Sequence, residues 1–382
     1  MKDLLFVCPV CGNKEARYIG IKNHQPYCRK CISFAGKSIE PPPRILKNVV
    51  IDLPYSLSSE QKALSKRIVD NFYRGIDTLV HAVCGAGKTE LSYGVISRAV
   101  ADGLTVGFAL PRRDVVIELF YRLKDAFPHN KIVAVYGDHS STLQGDIIIL
   151  TTHQLYRYKA YFDLLVMDEI DAFPFKGNDV LIAMYKRSLR GHSLMMSATP
   201  SKEILKEFKE PGHDIVELRT RFHKRPIPVP SIKLLPSLMK EFFLISRLKE
   251  YQKKHLQCFV FVPLINMSMT LFRFVSFFVK NGDFVNSKRE RRGEIIEDFK
   301  KGKTSFLITT AVLERGVTIK SLQVIVFNSD SFIYDSSSLI QIAGRAGRKK
   351  EAPNGEVIFL SSKKTEFMEK AIDEIRFCNS FL

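Results

Sequence analysis

The sequence predicts an α/β protein of two tandem parallel-sheet lobes preceded by a small zinc-binding segment. Three observations carry this. Apolar, β-rich runs alternate with helical stretches twice along the chain, and a glycine loop ending in Gly-Lys-Thr joins the first such run to a helix. Four of the seven cysteines crowd into the first 31 residues. Strands that are apolar on both faces and separated by helices mark parallel sheets covered on each side. With 382 residues, 45% of them hydrophobic, the chain has room for two or three domains with substantial cores.

Net charge is +18, from 58 basic and 40 acidic residues. That excess favours a polyanionic partner, nucleic acid or an anionic membrane face, without choosing between them. No membrane span is expected, because the most apolar window, Leu271 to Val279, includes Arg273 and is about half the length a bilayer needs. The apolar run within Met1 to Val7 is too short for a signal peptide. A cytosolic protein is the simplest reading, with peripheral membrane attachment left open.

The amino-terminal segment, residues 1–47, carries Cys8-Pro9-Val10-Cys11-Gly12 and Cys28-Arg29-Lys30-Cys31. Two C-x2-C pairs separated by sixteen residues match a four-thiolate zinc site, each pair turning two sulfurs towards one ion. Such an ion is structural, since four protein ligands leave no open position, and its binding energy folds a segment too small for its own core. The other readings are a pair of redox dithiols, or His24 replacing one cysteine. Arg17, Lys22, Arg29 and Lys30 would make the segment either a nucleic-acid or partner contact or only a structural cap. Pro41-Pro42-Pro43 reads as a stiff linker, which places the boundary near residue 48.

The first lobe is expected over 48–218. Ser58 and Gln61 form a capping box that starts a helix running to about Tyr73, closed by Gly75. The run Thr78 to His81 then leads into Ala82-Val83-Cys84-Gly85-Ala86-Gly87-Lys88-Thr89. Strand, glycine loop and helix form a phosphate-binding layout: Gly85 and Gly87 let backbone N–H groups turn towards a polyphosphate, and the helix N-terminus adds positive charge. Lys88 would reach the β- and γ-phosphates of a nucleotide, and Thr89 would supply a hydroxyl to Mg2+. Further strands are expected at Thr105–Leu110, Ile132–Val135, Asp146–Leu150, Leu164–Met167 and Ser193–Met196. Asp168 closes one of them and would hold the magnesium, while Glu169 would orient or deprotonate the attacking water. Ser197-Ala198-Thr199-Pro200 ends the next. Phe173-Pro174-Phe175 would either stack on bases or pack in the core.

The second lobe, 219–382, opens on a stretch with Pro226, Pro228 and Pro230. Strands are expected at Cys258–Val262, Phe306–Thr309, Val324–Phe327 and Val357–Leu360. The lobe has no Gly-Lys-Thr, so one nucleotide shared by two similar lobes is the economical arrangement. In Gln341-Ile342-Ala343-Gly344-Arg345-Ala346-Gly347-Arg348, a helix would bring Arg345 and Arg348 to one face. From across a cleft they would act as arginine fingers on the γ-phosphate, an effect on the order of 10³–10⁵ in rate. Lys288 to Arg292 and Lys300 to Lys303 flank a short amphipathic helix, Ile295 to Phe299, and are either solvated faces or phosphate contacts.

Taken in order, these motifs resemble the core of superfamily-two helicases. Ala82-x-x-Gly85-x-Gly87-Lys88-Thr89 has that superfamily's form of the loop, and Asp168-Glu169-Ile170-Asp171 is similar to its DEAD/DEAH element. Ser197-Ala198-Thr199 resembles its third motif, Thr309-Thr310 through Glu314-Arg315-Gly316 its fifth, and Gln341 to Arg348 its sixth. The resemblance implies two RecA-like lobes, an adenine-contacting role for Gln61, and nucleotide contacts at Gly316 and Gln341. Many members place Asp shortly after the Arg-Gly of motif five, where Val317-Thr318 stand here.

A finer resemblance is to the ATPases of bacterial DNA uptake. It rests on Asp168 to Pro174, Leu313 to Thr318, Arg221-Phe222-His223 with Pro226 to Pro230, and the four-cysteine element ahead of two lobes. It covers nearly the whole chain. It implies an ATP-dependent single-stranded DNA translocase at the inner face of the cell membrane that drives imported DNA into the cytosol. Its partners would be a competence membrane channel, cytosolic competence proteins and further copies of itself. The competing readings are a duplex-unwinding helicase of the replication-restart kind and a non-catalytic, zinc-dependent DNA-binding scaffold.

Overall fold

The computed structural model describes residues 6–34, 38–83, 86–137, 139, 141–171, 174–175, 177–219, 226–310, 319, 321–347 and 355–380. The chain divides into two compact units: Met1–Ala82 with Gly87–Leu218, and Arg219–Leu382 with Val83–Ala86.

The first unit begins with a hairpin of β1 (Ile19–Lys22) and β2 (Gln25–Cys28). Its two-residue turn places Asn23 and His24 at positive φ, the backbone a tight hairpin requires, and leaves His24 exposed at the tip. Then comes α1 (Ser59–Tyr73), where the Ser58 side chain accepts from the Gln61 N–H and the Gln61 side chain accepts from the Ser58 N–H. Gly75, at φ +73°, follows the Arg74 cap in the left-handed backbone that ends many helices.

The sheet of this unit contains β3 (Asp77–Ala82), β4 (Val106–Leu110), β5 (Ile132–Val135), β6 (Ile147–Thr151), β7 (Phe162–Asp168), β8 (Leu189–Ser197) and β9 (His213–Leu218). All are parallel, in the order β5-β6-β4-β7-β8-β3-β9. Crossover helices α2 (Lys88–Ala101), α3 (Arg113–Ala126), α4 (Asp179–Ser188) and α5 (Lys202–Glu207) connect them. Every residue of β4 and β6 is buried, as strands covered on both faces require.

The second unit has its own parallel sheet of β10 (Ser231–Leu234), β11 (Cys258–Phe261), β12 (Gly282–Val285), β13 (Phe306–Thr309), β14 (Gln323–Phe327) and β15 (Val357–Ser361). Its order is β10-β15-β14-β11-β13-β12. The helices are α6 (Ser237–Lys253), α7 (Ile265–Phe278), α8 (Arg292–Lys300), α9 (Ser336–Ala343) and α10 (Glu366–Asn379). Strand alternation divides the apolar side chains between two cores: Phe259 and Phe261 join Leu339, Ile342 and Met368 on one face, whereas Cys258 and Val260 join Leu244, Leu248 and Val275 on the other.

The expected strands are present; the β1–β2 hairpin is additional, and so, within the two parallel sheets, are β9, β10 and β12. β9, β10 and β12 each lie at a sheet edge. The basic runs around α8 are largely engaged at the surface: Arg291 pairs with Glu294, Lys300 with Glu297 and Lys303 with Asp298, while Arg289 lies over the Phe284 ring.

The proline-rich stretch lies along the first unit as an extended strap. Arg187 donates to the Ser38 hydroxyl at 2.7 Å, and the Ile39 N–H reaches the Arg157 carbonyl. Arg44 donates to Asp163 at 3.1 Å, and the N–H groups of Lys47 and Asp52 reach the carbonyls of Ala101 and Ala126.

Candidate nucleotide site and cysteine cluster

Strands β7, β8 and β3 are neighbours, with Asp168 opposite Met196 and Ser197 opposite His81. Their carboxyl ends therefore open onto one crevice, the place where parallel sheets bind ligands. The loop after β3 enters α2 through Gly87, which caps the helix at φ +87° and ψ +39°. Lys88 is the first helical residue and Thr89 the second, so both lie among the unpaired N–H groups that make a helix start an anion site. Gly85 lies outside the described residues.

Gln61 packs beside this turn. It is buried, its Oε1 accepts the Ser58 N–H at 3.0 Å, and a Cβ placed on Gly87 would come within 2.6 Å of its Nε2. Three residues absent from the sequence reading complete this corner. Glu90, in the first turn of α2, accepts from the Tyr55 hydroxyl at 3.1 Å and from Arg122 at 2.6 Å. Burial, then the Glu90 charge, pushes the Tyr55 phenol up to about 12, so it stays a donor at neutral pH. Glu90 directly follows Lys88-Thr89, a usable signal; Arg122 on α3 gave none.

The acidic motif occupies the end of β7. Asp168 is the last strand residue, and its Oδ1 accepts the Glu169 N–H at 2.8 Å. Glu169 adopts φ +58°, a backbone that side-chain-bearing residues rarely take and that recurs at functional sites. Asp171 links this motif to the next strand. One of its carboxylate oxygens accepts from the buried Ser197 hydroxyl at 2.8 Å and the other from the Thr199 hydroxyl at 2.7 Å. The Thr199 N–H in turn donates to Ser197 Oγ at 2.9 Å. One carboxylate thus ties the residues after β7 to the end of β8. Phe175 is buried edge-on against Tyr185, which makes it a core residue, and Phe173 lies outside the described residues.

In the second unit, Gln341 sits on α9, buried, and its Nε2 donates to Ser337 Oγ at 3.4 Å. The helix expected to carry both arginines ends earlier, at Ala343. Gly344 caps it, Arg345 lies buried in the turns that follow, and Gly347 takes φ +63°. The left-handed backbone at Gly347 is one that glycine adopts readily, and Arg345 therefore lies in turns rather than on the helix. Arg348, Gly316 and the whole stretch 311–318 lie outside the described residues.

The four amino-terminal cysteines converge, with all sulfurs within 4.8 Å of one another. Cys8 and Cys31 are 3.5 Å apart and Cys11 and Cys28 are 3.7 Å apart. Four thiolates about 2.3 Å from a tetrahedral ion stand roughly 3.8 Å apart, so the set fits zinc. Gly12 at φ +68° donates its N–H to the Cys8 carbonyl and closes the first knuckle. Burial pushes the Cys11 thiol up to about 11 and raises Cys31 further. Burial is also the largest single influence on Cys8, but hydrogen bonds from the backbone N–H groups of Cys11 and Val10 and from the Cys31 and Cys11 thiols together outweigh it and hold that thiol down. A thiol cluster this enclosed needs a cation to ionise fully.

Residues 62–208 match the DEAD/DEAH box helicase family and residues 239–350 the helicase conserved C-terminal domain. The chain is 33% identical to the competence protein ComFA of Bacillus subtilis over 97% of this chain and 85% of that protein. To ComFA of Streptococcus pneumoniae it is 31% identical, covering 92% and 85%. The ATP-dependent DNA helicase RecG of S. pneumoniae is 24% identical over 78% of this chain and 48% of its own length. Among solved structures, S. cerevisiae Dbp5 bound to RNA and ADP BeF3 superposes with a TM-score of 0.63 at 16% identity, covering 86% of this chain and 93% of that one. RecG bound to a three-way DNA junction gives 0.59 at 19% identity, covering 86% and 45%. At such identities these two structures speak for the shared fold alone.

Proposed function

We propose that this chain, which belongs to the family of the competence protein ComFA, is an ATP-driven motor on single-stranded DNA that draws imported DNA into the cytosol during natural transformation. The observation that carries the reading is the convergence of Lys88-Thr89, Asp168-Glu169 and Ser197-Thr199 at the ends of three adjacent strands, in a chain so widely similar to ComFA. Lys88 and the α2 N-terminus hold the β- and γ-phosphates of ATP. Thr89 and Asp168 are the residues to hold Mg2+, which supplies charge neutralisation on the phosphates when bound. Glu169 orients the attacking water, and Gln61 contacts the base. Gly85, Gly316 and Gln341 take further nucleotide contacts, and Arg345 and Arg348 stabilise charge developing on the γ-phosphate.

Asp171 then has a mechanical part. Phosphate release changes what Asp168 and Glu169 face, and the shared carboxylate passes that change to Ser197 and Thr199. DNA is held mainly through phosphates, so its binding weakens steeply with salt and shows little sequence preference. The cysteine cluster holds a structural zinc ion. The protein works at the inner membrane face, with a channel and cytosolic competence proteins as partners.

Steady-state ATP hydrolysis with and without single-stranded DNA tests the reading. DNA stimulates the wild type, and Lys88→Ala lowers turnover by about a hundredfold or more. Near-normal turnover in that variant overturns it. Movement on single strands without splitting of forked duplexes separates the motor from an unwinding helicase.

A further inference from the structure

We propose that the outward face of α6 and α7 in the second unit docks onto an anionic lipid bilayer. Leu238, Met239 and Phe242 of α6 and Phe274, Phe277 and Phe278 of α7 are all exposed, Phe277 by 83% and Leu238 by 77%. The aromatic rings form one continuous string. Phe242 meets Phe274 at 6.5 Å, Phe274 meets Phe278 at 5.4 Å and Phe278 meets Phe277 at 6.3 Å. Isolated exposed apolar residues are ordinary, but a contiguous aromatic surface on two neighbouring helices marks a binding face.

The sequence of α7 explains why this face is left over. Ser268, Leu271 and Val275 point into the core; the exposed side carries Asn266, Thr270 and Arg273 but also Met269 and, towards the end of the helix, Phe274, Phe277 and Phe278. The three phenylalanines at its end are apolar surface that the helix does not need for its own core, and among the described residues nothing covers them.

Charge selects the occupant. Arg273 is the sole charged residue of α7, and exposed Lys280 follows the helix. Exposed Lys249 and Lys253 stand on α6, where Glu250 is already tied to Arg247 and Lys254. A second copy of this chain would bring the same basic surface and a further +18 of net charge. An anionic bilayer satisfies both parts: phenyl rings enter the boundary of the acyl chains while lysines and arginines remain at the headgroups. No helix among the described residues is long and apolar enough to span a membrane, so attachment of this kind is to the surface. The inference rests on the proposed membrane-side location and gives it a specific face.

The chain contains no tryptophan, so Phe277→Trp introduces a single indole reporter. Vesicles of equal parts phosphatidylglycerol and phosphatidylcholine should shift its emission to the blue, and pure phosphatidylcholine should do so much less. In flotation with the mixed vesicles, Phe242→Ser/Phe277→Ser and Arg273→Gln/Lys280→Gln should each bind roughly tenfold more weakly than wild type. Unchanged melting shows that the variants are folded, since the replaced side chains are exposed. Flotation is run without ATP or DNA, and Lys88→Ala should float like wild type, so failure here is distinct from failure of the motor reading. Wild-type protein that stays unbound, or an aromatic double variant that floats normally, overturns the proposal; the first result would assign the face to an acidic protein partner.

Discussion

Replacing Gly87 with alanine probes the phosphate-loop corner most directly, because two separate penalties can be read from its geometry. The first is backbone strain: at φ +87° an alanine pays about 1–2 kcal/mol that glycine does not. The second is a collision, since the new methyl would lie 2.6 Å from Gln61 Nε2 and 3.4 Å from Glu90 Oε2. Gln61 must swing away, which breaks its bond to the Ser58 N–H and removes about 0.5–1.5 kcal/mol. Together the loss is about 1.5–3.5 kcal/mol, or about 3–14 °C in the melting of a lobe of this size. The collision term vanishes once Gln61 is trimmed. In a Gln61→Ala background, Gly87→Ala should therefore cost only the backbone strain, so the double variant is less damaged than the two single losses added. Urea melts of the four proteins measure this, with ATP affinity as the parallel readout. A Gly87→Ala protein within about 0.5 kcal/mol of wild type, or a cost that is the same with and without Gln61, refutes the reasoning.

Other perturbations follow from the same geometry. Asp171→Ala strands the buried Ser197 hydroxyl and its Thr199 neighbour, and should lower stability in urea by about 2–5 kcal/mol. Asp171→Asn, which keeps one acceptor, should cost less while still reducing DNA stimulation of hydrolysis relative to basal turnover. Cys8→Ser/Cys11→Ser should lose one equivalent of zinc by elemental analysis and become protease-sensitive within residues 6–34, with lower melting of the first unit.

Local and central features were legible in the sequence; distant and peripheral ones were not. The start and end of α1 could be read because a capping box spans four residues and Gly75 closes the helix immediately. The central strands announced themselves because Val106–Leu110 and Ile147–Thr151 are buried on both faces. Edge strands have one partner and one wet side, so His213–Leu218, Ser231–Leu234 and Gly282–Val285 carry Asp, Glu, Lys or Gly and look like loops. In the sixth motif α9 ends at Ala343, so Arg345 stands in the turns beyond the helix that its spacing suggested. The motif residues Lys88, Asp168 and Glu169 could be named from spacing. The pairings that brace them could not, even where one partner adjoins a motif, because Glu90 meets Arg122 and Asp171 meets Ser197 only after the chain has crossed the sheet.

The cysteine segment shows where reading by spacing stops short. Spacing makes residues 1–47 an appendage on a stiff linker, but their contacts lie within the first unit. Cys8, Cys28 and Cys31 share one apolar core with Ile170, Phe175, Val180, Leu181 and Tyr185. Lys30 approaches Asp179 in the first turn of α4, and Phe34 stacks on His153. Helix α4 joins the acidic motif at the end of β7 to β8, whose end carries Ser197. The cluster therefore backs the connection between the two halves of the Asp171 bridge. A metal-free segment would withdraw packing from that connection before it touched any nucleotide contact. Loss of zinc should thus weaken the link between hydrolysis and DNA stimulation while leaving ATP affinity near its wild-type value. Equal loss of both in Cys8→Ser/Cys11→Ser would instead mean that the whole lobe has loosened.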